Sequence, residues 1–332
     1  MGASTEWTIG LSESCSHMHL SITKTALYCV ALSTCFVGSL YALVPSRIRR
    51  LDRDNIQQIR GRMFAVSMVS LVSTLTYPLV FCNIAMEGIE GSPSALEFMG
   101  WKWHLRTVLG VLAHTASLYF GSIATMLVQV IDRHARSPAD TSFSAIFFSA
   151  FIKPVVSPYF DPFDESERWS QIRNIIMAPL TEEIVFRGCM MSPLLASGLG
   201  PIGATFIAPL FFGVAHAHHA ILKLQGGAKP AHVIVLTAFQ FTYTSLFGSY
   251  AAHVFIRTGS IPAVFLSHSF CNSMGLPDLS FLYKTGGRYS SLYQFRFFLL
   301  ISYLIGVITF VWGIRSDMLL PLPSRLPELI SV

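Results

Sequence analysis

Charge is what this chain has least of. Only 12% of its 332 residues are Asp, Glu, Lys or Arg, about half the roughly 25% of an ordinary soluble domain. Hydrophobic residues make up 52%, and the mean hydropathy is +0.54, so a water-soluble globule is excluded. The six cysteines (Cys15, Cys29, Cys35, Cys82, Cys189, Cys271) contain no CxxC pair, and five of them fall within or beside apolar runs. That argues against a disulfide framework or a thiolate metal site and leaves packing as their use. The chain also lacks the HExxH helix of a zincin and an internal repeat of the kind many transporters carry across their halves. The formal net charge of +5 is not a nucleic-acid signature, because the basic residues sit beside apolar runs: Arg47, Arg49, Arg50, Arg53, Arg60 and Arg62 lie in one loop.

Long apolar runs, by contrast, are abundant. Stretches near the ~20-residue spanning length occupy 26–44, 63–85, 108–130, 233–256 and 297–312, and three interrupted ones occupy about 172–197, 201–216 and 261–276. These predict an all-α polytopic integral membrane protein of about eight transmembrane helices, forming one membrane domain over 1–332 with a catalytic core near 171–277. The first run is long enough to span and is followed by arginines, so it reads as a signal anchor and not a cleaved signal peptide. Met1-Gly2 looks like a myristoylation start, but Glu6 stands where Ser or Thr is wanted. The positive-inside tendency puts the arginine loop in the cytosol and, with eight spans, both termini on the other side.

The polar groups concentrate inside the three interrupted runs: Thr181-Glu182-Glu183-Ile184-Val185-Phe186-Arg187, Phe212-Gly213-Val214-Ala215-His216, and His268-Ser269-Phe270-Cys271-Asn272. A Glu or Arg unpaired at the bilayer centre costs about 2.5–3.5 kcal/mol, so such groups are kept for pairing or for function. On a helix Glu183 and Arg187 share a face and pair. Glu182 is turned about 100° away and is left for another task. Pro179 removes a backbone donor just upstream and loosens the helix there. Phe212 and His216 share a face at the end of a short span, as do His268 and Asn272, while His218 and His219 read as interfacial or cytosol-facing.

Glu182, His216, His268 and Asn272 support two chemistries. In one, Glu182 and His216 take a proton from a water that attacks a carbonyl, and His268 and Asn272 donate hydrogen bonds to the oxyanion. In the other, His216, His268 and a carboxylate hold zinc. A thiol nucleophile, Cys189 or Cys271, is a poorer third, because apolar surroundings disfavour the thiolate. A non-enzymatic scaffold and a proton-coupled transporter are the rival classes.

The EExxxR, FxxxH and HxxxN set in this order resembles that of the type II CAAX prenyl endopeptidases. So do Arg173-Asn174-Ile175-Ile176-Met177-Ala178-Pro179-Leu180, which leads into the glutamates, and Pro209-Leu210-Phe211-Phe212, which leads to His216. The resemblance covers roughly 171–277. It implies a peptidase that removes the last three residues of prenylated CAAX proteins, sits in the endoplasmic reticulum membrane and opens its site to the cytosol. It also implies Glu182 and His216 as water activators, His268 and Asn272 as the oxyanion hole, and Glu183, Arg187 and Phe212 in support. No cofactor, no metal and no nucleic-acid partner is expected. A prenyl chain partitions into lipid and can enter laterally between helices, with Phe211, Phe239, Phe241 and Phe265 as candidates for its wall.

Overall fold

The computed structural model describes residues 21–81, 99–136, 142–149, 165–215, 220, 223–224, 226–283 and 290–315. Among them every regular element is helical. The main helices are α1 (Ile22–Ala42), α2 (Ile56–Phe81), α3 (Leu105–Leu118), α4 (Phe120–Ala135), α5 (Glu165–Leu194), α6 (Gly200–Ala215), α7 (Pro230–Thr258), α8 (Ile261–Met274) and α9 (Arg296–Arg315). Each expected apolar run falls on one of these, except that 108–130 is shared by α3 and α4. That run reads as continuous, but it bends by 72° at Tyr119, whose φ of −92° and ψ of 11° leave the helical region. The Tyr119 ring is buried edge-on against Phe270 at 5.5 Å, which anchors the corner.

Apolar side chains lie on the outside as well as in the core. Phe297 and Ile308 on α9, Leu27 on α1 and Ile202 on α6 are exposed, while Glu183, Arg187, His114 and His268 are buried. Apolar flanks, with the few interior charges partnered inside the protein, are what a bilayer selects, because backbone and charged groups find no partner in hydrocarbon. By length and composition α1 and α9 qualify as membrane spans alone, and the bent pairs α3–α4 and α5–α6 (68°) bring the number to as many as four. Helices α2 and α7 are longer, 26 and 29 residues; α2 carries Gln57, Gln58, Arg60 and Arg62 at its start, ahead of its apolar run, and α7 carries His232, Gln240, His253 and Arg257 along its length. The chain is a polytopic helical membrane protein.

Two glycines set how closely α6 and α7 approach. Gly248 lies where α7 meets the proline of α6, and a Cβ there would come within 2.9 Å of Pro209 Cβ. Gly213, a helical turn beyond Pro209 on α6, permits the same close approach: a Cβ there would meet Ser245 Oγ at 2.7 Å and the Phe241 ring at 2.8 Å. Elsewhere the interior is joined by a polar network. Thr115 on α3 contacts Tyr250 Oη and Ser267 Oγ, each at 2.8 Å, and His114 bridges Tyr250 at 3.2 Å and the Phe310 carbonyl at 3.0 Å. His114 thus ties α3, α7 and α9 together.

Helices α2 and α5 run side by side in the same direction. The Arg60 guanidinium lies over the Trp169 ring at 4.4 Å, and further along Ser70 Oγ donates to the Thr181 carbonyl at 3.4 Å. At their shared start Arg173 donates to the Arg53 carbonyl and pairs with Asp54 at 3.0 Å, which locks α5 to the arginine loop.

Candidate active site

Helix α5 is not a uniform α-helix. Wide π-helical turns occupy Ile172–Met177 and Ile184–Cys189, either side of a short α segment, Ala178–Glu183. Such bulges occur mostly at functional sites, and Pro179 supplies a local cause for the first. It has no N–H, so no donor at position 179 reaches the carbonyl of Ile175 in α spacing or that of Asn174 in π spacing. Both carbonyls are satisfied from α8: Ser269 Oγ donates to Ile175 at 2.6 Å and Asn272 Nδ2 to Asn174 at 2.9 Å. The backbone defect in α5 therefore docks the helix that carries His268.

Glu183 is the hub of the site. It is fully buried, and Arg187 Nη1 lies 3.1 Å from each of its carboxylate oxygens, as the four-residue spacing predicts. Arg187 also donates to the Gly248 carbonyl at 3.3 Å and sits 5.0 Å over the Phe212 ring. The spacing did not predict that Glu183 Oε1 would accept a 2.6 Å bond from His268 Nδ1. A carboxylate next to an arginine only accepts, so the proton of this bond is on Nδ1. Nε2 of His268 then points away from Glu183 and lies 3.8 Å from Glu182 Oε2, and Phe247 packs on the ring at 4.4 Å.

This geometry attaches a condition to the expected oxyanion role. With Nδ1–H given to Glu183, a neutral His268 presents a lone pair at Nε2, and only the imidazolium donates from that atom. The second amide hydrogen of Asn272 remains available, since Nδ2 carries two. Glu182, at 17% side-chain exposure, faces a cavity of about 260 Å³ also lined by Phe36, Phe186, Phe212 and Gln240. A second cavity of about 570 Å³ is mainly apolar and is lined by Tyr119, Phe206, Tyr243, Phe247 and Cys271, among others. Phe247 thus separates an apolar chamber from the His268 ring. None of Phe211, Phe239, Phe241 and Phe265 is part of that lining: Phe239 is exposed on α7 and Phe241 packs at Gly213.

The structure thus brings Glu182, Glu183, Arg187, Phe212 and His268 together around the junction of α5, α6, α7 and α8, while Asn272, one turn beyond His268, is exposed and held at the Asn174 carbonyl. His216 lies outside the described residues, one position past α6, as do His218 and His219. Among the described residues no group of three His, Cys, Asp or Glu side chains could hold a metal ion, and the zinc alternative also requires His216. Both thiols near the site, Cys189 and Cys271, are buried. Sequence reasoning missed the Glu183–His268 bond, the carbonyl partners of Ser269 and Asn272, and a set of arginines around the smaller cavity. Only the pairing of two neighbouring glutamates with a single arginine hinted at the first.

Helical membrane walls enclose a buried carboxylate, an imidazole and a charge-matched arginine. A family model, Type II CAAX prenyl endopeptidase Rce1-like, matches residues 165–274, the stretch that builds this site. CAAX prenyl protease 2 of Homo sapiens is 37% identical over 255 residues, 75% of this chain and 70% of that protein. CAAX prenyl protease 2 of Saccharomyces cerevisiae is 38% identical over 297 residues, 81% and 87% respectively. The Probable CAAX prenyl protease 2 of Schizosaccharomyces pombe is 32% identical over 285 residues, 85% and 90%. No solved structure matches the chain. The chain belongs to the type II CAAX prenyl endopeptidases and is a peptidase.

Proposed function

We propose that this protein removes the C-terminal tripeptide from prenylated CAAX proteins by direct attack of water, with Glu182 as the acceptor of the water's proton. The observation that carries the reading is the pairing of Glu182, at the cavity wall, with a His268 ring that Glu183 holds from behind. Glu182 and His216 activate the water. His268 as imidazolium and Asn272 stabilise the oxyanion that forms on the scissile carbonyl. With His268 charged, Glu182, Glu183, Arg187 and His268 sum to zero, which suits a site surrounded by lipid. Attack by water needs no covalent intermediate, and proton return to the leaving amine completes the hydrolysis.

The isoprenoid fits the apolar chamber behind Phe247, because each buried methylene is worth about 0.8 kcal/mol and the chamber walls are apolar and aromatic. The peptide lies in the smaller, more polar of the two cavities, beside Glu182. The setting is the endoplasmic reticulum membrane with the arginine loop and the cavity mouth toward the cytosol, where the positive-inside tendency puts them. The test uses the purified full chain in lipid with a farnesylated CAAX peptide and follows tripeptide release. Wild type is expected to cleave, including in the presence of a chelator, and Glu182→Ala is expected to be inactive. Absence of cleavage by wild type would overturn the substrate reading, and activity surviving in Glu182→Ala would overturn the mechanism.

A further inference from the structure

The cavity beside Glu182 has a second polar end. Arg53, Arg62 and Arg173 line it together with Asn174 and Glu182, and the three come from the arginine loop, α2 and α5 respectively. Arg173 is committed to Asp54, the Arg53 carbonyl and Asn174 Oδ1. Arg62 lies in the electrostatic field of both Arg53 and Arg173, and Arg53 in that of Arg173 and Asp54. Among the described residues the ion pairs include no carboxylate for Arg53 or Arg62. Two guanidinium groups beside a third, around a cavity and with a single exposed aspartate between them, repel one another until an anion enters.

We infer that Arg53 and Arg62, with Arg173 behind them, form a subsite for the free α-carboxylate at the end of the substrate. We further infer that the separation of this subsite from Glu182 sets the length of the fragment released. The inference rests on the peptidase reading above, in which the cleaved protein ends three residues beyond the scissile bond. The separation can be read along two helices. Arg173 and Glu182 are nine residues apart on α5, at most about 13 Å of axial rise at the 1.5 Å per residue of an α-helix, because Ile172–Met177 is wound in wider π turns. Arg62 precedes Ser70 by eight residues on α2, about 12 Å, and Ser70 is level with Thr181, next to Glu182. Three extended residues span about 10 Å, and a guanidinium reaching inward from either helix covers the remainder. A planar fork of donors suits a carboxylate, which it binds in bidentate fashion. The two ends of one cavity thus do different jobs, one holding the chain end and the other cutting at a fixed distance from it.

The experiment compares two farnesylated peptides of identical sequence, one with a free C-terminal carboxylate and one with a C-terminal amide, on the full-length protein in liposomes of neutral lipid. Wild type is expected to cleave the acid with kcat/KM about 10- to 100-fold above the amide, from the strength of a hydrogen bond to a charged group. The difference is expected mainly in KM, because the contact is present before and during the reaction. In Arg53→Gln and Arg62→Gln that ratio falls toward one, and Arg62→Lys keeps some of it. Cleavage of neither peptide by wild type would overturn the peptidase reading itself. Equal cleavage of both by wild type leaves that reading standing and overturns the carboxylate subsite, without recourse to a variant that must fold. An acid-to-amide ratio unchanged in both glutamine variants assigns the discrimination elsewhere. Stimulation of wild type by anionic lipid that is lost in both glutamine variants, with the acid-to-amide ratio unchanged, marks the arginines as headgroup ligands and also overturns the inference.

Discussion

Removing Glu183 should separate its two tasks, balancing Arg187 and orienting His268. Glu183 is fully buried and Arg187 is 2% exposed, with Nη1 of Arg187 3.1 Å from the carboxylate. Glu183→Leu leaves a buried guanidinium without its counter-ion, at about 3–5 kcal/mol for breaking such a pair from one side. At roughly 2–4 °C per kcal/mol for a folded unit of this order of size, the apparent Tm in detergent is expected to fall by about 6–20 °C. Replacing the whole pair, Glu183→Leu with Arg187→Met, removes both charges, and exchanges of that kind are often neutral or stabilising. The double variant should therefore regain most of the lost Tm. It should not regain activity, because His268 Nδ1 still lacks its 2.6 Å acceptor and the ring is free to change tautomer and orientation. Loss of such an orienting partner typically costs 10–100-fold, to be read as kcat on the farnesylated peptide. A double variant that is stable and fully active would refute the orienting role. One as unstable as the single variant would refute the charge-balance argument.

Other outcomes follow from single contacts. Glu182→Gln is expected to lower kcat by about 10²–10⁴-fold while leaving Tm near wild type, since Arg187 pairs with Glu183 instead; a comparable fall in Tm would make its role structural. Ser269→Ala strips the donor from the Ile175 carbonyl and is expected to cost about 1 kcal/mol. Adding Pro179→Ala should recover some of this by returning a backbone N–H, and thermal unfolding of the four-member cycle measures the coupling. Gly248→Ala would drive a Cβ into Pro209 at 2.9 Å, an overpacking of about 1–3 kcal/mol, and would also shift the carbonyl that Arg187 uses, so Tm and kcat should fall together. Cys271→Ala and Cys189→Ala are expected to retain peptide cleavage, as the proposed attack by water requires; inactivity in a folded Cys271→Ala protein would overturn that proposal.

What could be read ahead of the structure was what helical periodicity encodes. The Glu183–Arg187 pair is a matter of four-residue spacing, and it is present at 3.1 Å. Placing Glu182 on a different face from Glu183 needed only the turn per residue, and the two carboxylates do meet different surroundings, one a cavity wall and one the interior. The illegible features are those that depend on which helices touch. Nothing local to Glu183 announces a histidine 85 residues away, and nothing near Asn174 announces an amide from α8. Pro179 did signal a loosened helix, but not that two side chains of one neighbour would satisfy the carbonyls it leaves. The corner at Tyr119 was hidden for the opposite reason: an unbroken apolar run carries no punctuation, and the bend comes from the docking of that ring on Phe270.

These long-range contacts explain why a lipid-embedded helix tolerates two adjacent carboxylates. Glu182 and Glu183 both lie in the short α segment Ala178–Glu183, about 100° apart around its axis. Here the segment that carries them is bounded by π-helical turns on both sides, and it is fixed by contacts on three sides: Ser70 from α2, Ser269 and Asn272 from α8, and the Gly248 carbonyl, through Arg187, from α7. The charge of Glu183 is met within the protein by Arg187 and His268, so the cluster needs no water of its own to be stable in a bilayer. Glu182 is thereby left as the carboxylate that faces the cavity, where water and a peptide carbonyl can reach it. The same cavity runs to the arginines at the shared start of α2 and α5.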